Sequence, residues 1–191
     1  MKVQLVDAES VTPQAWRNGG GQTRELLAWP SGSDWQLRIS RADIDSDGPF
    51  SSFPGITRGF TVLAGAGVVL SFADGDQQLR RGDPPLQFDG AAAPGCRLLD
   101  GPTQDLNLML RRGTGALRAV EHERSWSEGF RMRGLYTTVA GRWTGQQQRR
   151  AMPAHHLLWV EDAGTDEWTF HPEHGNTSTG QAWWLGFSPK E

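Results

Sequence analysis

The chain has 191 residues, 37% hydrophobic and 21% charged, which suits one sizeable core or two small fused cores and excludes a large multidomain assembly. Nine tryptophans and eight phenylalanines exclude an intrinsically disordered chain, because such chains lack large apolar side chains. A net charge of −3 argues against a non-specific nucleic-acid binder, since phosphate affinity comes mostly from clustered lysine and arginine.

Short strands follow one another through the first half of the chain. They are predicted over 3–6, 22–29, 35–42, 58–64, 68–72, 77–79, 86–88, 96–99 and 105–111, with glycine- and proline-rich turns between them. In segment 35–42, Leu37 and Ile39 alternate with Arg38 and Ser40, the period of a half-buried strand.

The second half carries weaker strand signals. Strands are predicted over 117–120, 131–139, 157–160, 167–170 and 182–187, and the Gln- and Arg-rich segment 142–155 is predicted to be a polar loop. Two Asp-Gly-Pro turns, at 47–49 and 100–102, indicate two related halves. We therefore expect an all-β sandwich or barrel divided into residues 1–112 and 113–191.

The sequence lacks the residue patterns typical of a metal site on a strand or of a catalytic nucleophile. A metal site on a strand needs His-x-His, because residues i and i+2 share a face, and none of the five histidines forms such a pair. Cys96 is interpreted as a small buried strand residue. We expect no metal, no cofactor and no internal disulfide.

Polar side chains on separate strands form the most informative constellation. Arg38 shares a face with Ser40, and Asp105 shares one with Asn107, Met109 and Arg111. Either these rows are solvated, as one face of an antiparallel sheet often is, or they line a pocket in which arginines bind a carboxylate. In the second case Trp16, Phe50 and Phe53 are candidate walls.

Three further features each leave two interpretations open. The Gly19-Gly20-Gly21 loop allows either close approach of backbone to a ligand or to Trp16, or simply a wide bend. Six tryptophans of the second half fill a core or form a protein interface, and the core is favoured. Arg142, Arg149 and Arg150 near Trp143 lie on a solvated loop or contact single-stranded nucleic acid, and the loop is favoured.

Several segments together resemble the HutD/Ves family. They are WRNGGGQTRE at 16–25, RISRA at 38–42, DGPFSSFPG at 47–55, Arg58, FDG at 88–90, DGP at 100–102 and DLNLM at 105–109. The resemblance implies a cupin-like double-stranded β-helix, with two fused antiparallel barrels (a bicupin) that lack the usual cupin metal ligands. The pocket that it implies contains Trp16, Asn18, Arg24, Glu25, Arg38, Ser40, Phe50, Arg58, Asp105 and Asn107.

The same resemblance implies a function in histidine utilisation. We expect a non-enzymatic regulatory protein that binds an anionic catabolite such as urocanate or N-formylglutamate, both of which carry carboxylates. The alternative is a metal-independent isomerase or hydrolase in which Glu25 or Asp105 acts as the base.

Location follows from what the sequence lacks. No apolar run reaches the roughly 18 residues of a membrane span, and the first nine residues have no apolar segment of the signal-peptide type. We therefore expect a cytoplasmic protein without a membrane partner. From the resemblance and the arginines on strands we expect a small anionic metabolite as the partner, with a homodimer as an option and without nucleic acid.

Overall fold

The computed structural model describes residues 3–30, 33–121, 123–173 and 181–190. The chain divides into two compact units, which we call the central unit (Val11–Arg112) and the terminal unit (Met1–Ser10 with Gly113–Glu191). The division differs from the predicted halves in one respect. Met1–Ser10 groups with the second half, because the first strand of the chain pairs with a strand of that half.

The described residues form eighteen strands. In chain order they are β1 (Val3–Asp7), β2 (Gln14–Ala15), β3 (Gly21–Trp29), β4 (Leu37–Ile44), β5 (Gly48–Pro49), β6 (Thr57–Ala64), β7 (Val68–Phe72), β8 (Gly75–Leu79), β9 (Leu86–Asp89), β10 (Gly95–Leu98), β11 (Thr103–Leu110), β12 (Thr114–Ala119), β13 (Met132–Thr137), β14 (Gly141–Gly145), β15 (Gln148–Met152), β16 (His156–Val160), β17 (Thr169–Pro172) and β18 (Ala182–Ser188). A single 3-10 turn covers Gly90–Ala92, and the described ranges contain no α-helix.

Each unit consists of two antiparallel sheets. The central unit has a six-stranded sheet of order β2-β3-β4-β11-β6-β9 and a four-stranded sheet of order β5-β10-β7-β8. The terminal unit has a five-stranded sheet, β1-β16-β13-β18-β12, and a three-stranded sheet, β15-β14-β17. The all-β prediction is confirmed, although within the described ranges the two sheets of each unit remain separate and do not close into one continuous barrel.

Strand β11 is buried on both faces. Leu106 and Leu108 on one face are at most 2% exposed, and Asp105 and Asn107 on the other are at most 3% exposed. The polar row of this strand is therefore not solvated, and the first of the two interpretations of that row is wrong for Asp105 and Asn107. Buried polar groups generally need hydrogen-bond partners. Arg58 supplies them to Asn107, and Thr103 supplies one to Oδ2 of Asp105.

Segment 142–155, predicted as a polar loop, contains a β-hairpin instead. Strands β14 and β15 pair from Gly141 with Met152 to Gly145 with Gln148. The turn between them places Gln146 and Gln147 at φ angles of 52° and 59°, which suits a tight hairpin turn. The prediction failed because the hairpin buries few side chains, chiefly Trp143 and Met152, among many polar ones.

Aromatic side chains fill the core of the terminal unit. Trp126, Trp143, Trp168 and Trp184 belong to one buried cluster, in which the Trp143 and Trp168 rings meet edge to face at 4.9 Å. All six tryptophans of the second half are at most 6% exposed, so the core interpretation is confirmed. No helix in the described residues is long and apolar enough to cross a membrane.

Candidate functional site

The inner face of the six-stranded sheet forms the floor of a cavity of about 680 Å³ in the central unit. Cross-strand pairing brings distant segments into rows on this face, because opposite residues of antiparallel strands project to the same side. One row runs Arg38, Met109, Arg58 across β4, β11 and β6. The next row runs Ser40 and Asn107 to Phe60 on the same strands. The volume falls in the range of small-molecule sites, roughly 300–1,000 Å³.

Arg58 is the buried cation of this cavity. Its side chain donates from Nε and Nη2 to Asn107 Oδ1, at 2.9 and 2.6 Å, and its guanidinium lies 4.2 Å from the ring centroid of Phe50. Burial lowers the pKa of Arg58 to about 10, although Asp105 and Cys96 oppose that effect. Arg58 is therefore charged at neutral pH, while its hydrogen-bond partner is a neutral amide.

Asp105 lies beneath this arrangement and does not line the cavity. It is fully buried, and its Oδ2 accepts a hydrogen bond of 2.8 Å from the Thr103 hydroxyl. Burial raises the pKa of Asp105 to about 8, and Asp43 raises it further, while Thr103 and Arg58 act in the opposite direction. Near neutral pH its carboxyl group is mostly protonated and does not neutralise Arg58.

Arg38 carries the second guanidinium at the cavity. Its Nε donates to Glu25 Oε2 at 2.7 Å, and the two side chains are 19% and 41% exposed. The charge of Arg38 is thus compensated by a partly solvated carboxylate. The charge of Arg58 has no carboxylate partner among the described residues. The two arginines differ in this respect, although the register places both in one row.

The glycine-rich loop positions the aromatic wall beside the cavity. Trp16 donates from Nε1 to Thr23 Oγ1 at 2.8 Å, and its backbone N–H donates to the Gly21 carbonyl at 2.9 Å. A side chain at Gly21 would place its Cβ 2.3 Å from the Asp43 carbonyl oxygen. Gly19 has a φ of 73°. The glycines therefore serve a tight turn and the close approach of backbone to Trp16 and to β4.

Seven of the ten predicted pocket residues line the cavity. They are Trp16, Asn18, Arg38, Ser40, Phe50, Arg58 and Asn107. The candidate wall residue Phe53 lines it as well.

The structure does not bring the other three to the cavity. Arg24 lies on the opposite face of β3 and forms an ion pair with Asp43. Glu25 is held by Arg38, and Asp105 is covered.

Sequence reasoning missed several lining residues. They include Gln14, Ala15, Arg17, Thr23, Pro49, Ser51 and Met109. Strand alternation could have identified Thr23 and Met109, because each lies two residues from another inward position. Arg17 lies in the quoted motif next to Trp16. It is exposed and has no ion-pair partner in the described ranges, so it adds positive charge at the rim.

Cys96 and the three described histidines, His155, His156 and His171, do not line the cavity. Cys96 belongs to the apolar cluster between the sheets of the central unit, and burial raises its pKa to about 12, which fits the predicted unreactive strand residue. In the described part of the chain no group of three His, Cys, Asp or Glu side chains is arranged to hold a metal ion. His122 and His174 lie outside the described residues.

Together these groups suit recognition of a small anion. A buried guanidinium attracts a carboxylate strongly, because the surrounding apolar rings exclude water from the contact. Ser40 offers a hydroxyl, and Trp16 and Phe50 provide apolar walls. The arrangement is that of a mostly apolar pocket with a few polar groups at fixed positions.

Comparison with known proteins gives consistent matches over nearly the whole chain. The sequence model of the family described as HutD matches residues 8–177. Protein Ves of Cronobacter sakazakii is 27% identical over 164 residues, covering 85% of this chain and 90% of that protein.

Two solved structures share the fold over their full length. A conserved protein of unknown function from Pseudomonas aeruginosa PAO1 has a TM-score of 0.87 at 26% identity, covering 98% of this chain and 100% of that one. HutD from Pseudomonas fluorescens SBW25 has a TM-score of 0.83 at 24% identity, covering 100% of both chains. With its antiparallel sheets, the fold is cupin-like, as the sequence predicts.

Proposed function

This chain belongs to the HutD family, and from that premise we propose that it is a non-enzymatic regulatory protein that binds a small carboxylate metabolite in the cavity of the central unit. The metabolite classes that we propose are urocanate and N-formylglutamate, anionic catabolites of histidine utilisation. Binding of either compound would report the state of that pathway, and the compound would be released unchanged.

The proposal rests on the charge of Arg58, which has no carboxylate partner among the described residues. Arg58 is 9% exposed as a residue, and burying a guanidinium is costly unless an anion or several acceptors replace its water. Asn107 supplies one acceptor oxygen for two donors. A ligand carboxylate would supply the missing charge, and Arg58 would bind it by charge-assisted hydrogen bonds.

The placement of the two candidate bases favours binding over catalysis. A general base must come within hydrogen-bond reach of the proton that it removes. The Glu25 carboxylate is bonded to Arg38, and the Asp105 carboxyl is fully buried beneath Thr103. Neither group lines the cavity.

Isothermal titration calorimetry with urocanate and with N-formylglutamate tests the proposal. We expect at least one of them to bind the wild type. Arg58→Lys should weaken that binding by roughly 1.5–3 kcal/mol, the range for a hydrogen bond to a charged group, because lysine keeps the charge but loses the planar fork. Arg97→Lys is the matched control on an exposed strand position.

Two outcomes would count against the proposal. The absence of binding with both compounds, and with related dicarboxylates, would remove the ligand class. Turnover of either compound by the purified protein would replace the binding role with the enzymatic one.

A further inference from the structure

A buried carboxyl group lies next to the residue that holds Arg58. Asp105 is two positions before Asn107 on β11 and projects from the same face of the sheet, opposite Ala42 of β4 and Val62 of β6. Its Oδ2 is bonded to Thr103, and its Oδ1 is buried without a hydrogen-bond partner among the described residues. Only the Thr103 hydroxyl and the charge of Arg58 stabilise the ionised form of this acid, and Arg58 is the one cation of the two.

Four groups act on Asp105. Thr103 on its own strand is hydrogen-bonded to it, and Arg58 on β6 and Cys96 on β10 interact with it electrostatically. Asp43 on β4 projects from the opposite face of the sheet and acts only through its charge. Only Arg58 is a cation. If Asp105 ionises, its charge and the charge of a ligand carboxylate compete for the same guanidinium, and they also repel each other across a region of low dielectric constant.

We propose that Asp105 is a positioning residue that acts through Arg58 and couples carboxylate binding to the uptake of one proton. This inference rests on the proposed function. When Asp105 is neutral, the charge of Arg58 is available to the ligand. When Asp105 is ionised, its carboxylate partly compensates the charge of Arg58. On binding near the midpoint of this titration, a solvent proton transfers to the Asp105 carboxylate, and the ligand carboxylate takes its place as the counter-anion of Arg58.

The direction of the pH dependence follows from linkage. Burial raises the pKa of Asp105 to about 8, and a bound anion disfavours ionisation and raises that pKa further. The bound state therefore holds more protons than the free state around pH 8, so affinity falls as the pH rises through this region. Arg58, with a pKa of about 10, remains mostly charged over the same interval.

Calorimetric titrations between about pH 7 and pH 9 test the inference, because the carboxylates of urocanate and N-formylglutamate stay ionised there. The wild type should lose about tenfold in affinity for whichever compound binds, as expected for one linked proton. Asp105→Asn, which keeps the side chain neutral, should show no such loss of affinity between pH 7 and pH 9. Asp100→Asn, the same change in an exposed turn, should behave as the wild type.

The outcomes distinguish failure of the proton coupling from failure of the proposed function. If a compound binds but its affinity is independent of pH, or if Asp105→Asn shows the same loss, the inference is wrong and the binding function stands. If neither compound binds at any pH, both fall. If Asp105→Asn fails to fold, titrations of the wild type near pH 8 in buffers of different ionisation enthalpy decide. Proton uptake on binding supports the coupling, and its absence overturns it.

Discussion

Asn107 accepts both hydrogen bonds of Arg58 on a single amide oxygen, at 2.9 and 2.6 Å. The pairing register explains how they meet, because Met109 lies opposite Arg58 and Asn107 opposite Phe60, one step along the same face. A neutral amide fixes the guanidinium without neutralising it. The positive charge is therefore held in position and available to a ligand.

Asn107→Asp tests whether this neutrality matters. The substitution replaces one nitrogen by oxygen at nearly constant volume, and the new carboxylate would neutralise Arg58 from within the protein. We expect ligand affinity in calorimetry to fall about tenfold or more, since like charges that meet at one site are strongly unfavourable. Asn18→Asp, at the exposed part of the lining, is the matched control with a smaller expected loss. Undiminished affinity in Asn107→Asp would show that the ligand does not use Arg58.

Arg38→Ala tests whether Arg38 contributes to ligand binding or to the stability of the fold. The ion pair with Glu25 is partly solvated, and such pairs contribute only about 0–1 kcal/mol, so the denaturation midpoint should change little. Ligand affinity should weaken by roughly 1.5–3 kcal/mol if Arg38 contacts a charged ligand group. Arg97→Ala serves as the control. If Arg38→Ala unfolds the protein, Arg38 is structural and its place in the binding site is wrong.

The raised pKa of Asp105 also leads to a prediction that can be tested without a ligand. Its pKa in the folded protein, about 8, lies above the ordinary value of about 3.9 for an unfolded chain. The free energy of unfolding therefore carries its full contribution from the neutral Asp105 carboxyl below about pH 4. This contribution is lost as the pH rises toward 8. Asp105→Asn should remove this loss. In urea denaturation the variant should gain stability over the wild type as the pH rises from 5 to 8, and parallel pH profiles would contradict the assignment.

Trp143→Ala tests the assignment of the tryptophans to a core. Trp143 is fully buried against Trp168, so truncation should cost about 3–5 kcal/mol in the free energy of unfolding. Trp35→Ala, a partly exposed position in the central unit, should cost much less. Unchanged stability in Trp143→Ala, together with an altered oligomeric state on a sizing column, would instead favour the protein-interface interpretation.

Strand periodicity predicts which side chains share a face but not how deeply they lie. Alternation in 35–42 and 105–111 correctly groups Arg38 with Ser40 and Asp105 with Asn107, and it places Arg24 on the face opposite Thr23 and Glu25. The burial of Asp105 depends on β4 and β6, which are far away in sequence, and the pairing of Arg38 with Glu25 depends on how β3 and β4 are aligned. The sequence of a single strand does not show which strands will pack beside it.

Hairpins that bury few side chains are also difficult to predict from sequence. In segment 141–152, arginines and glutamines occupy half of the positions, and two buried side chains, Trp143 and Met152, are too few for a clear period of two. The pairing of β1 with β16 joins residues more than a hundred positions apart. Such contacts are decided by tertiary packing and not by local sequence.

The role of Arg58 is tested most directly by the structure of the protein in complex with whichever of urocanate and N-formylglutamate binds. We expect carboxylate oxygens about 3 Å from the guanidinium nitrogens of Arg58, with the contact to Asn107 retained and the body of the ligand against Trp16 and Phe50. A ligand carboxylate bound elsewhere, with Arg58 contacting only Asn107, would contradict this role.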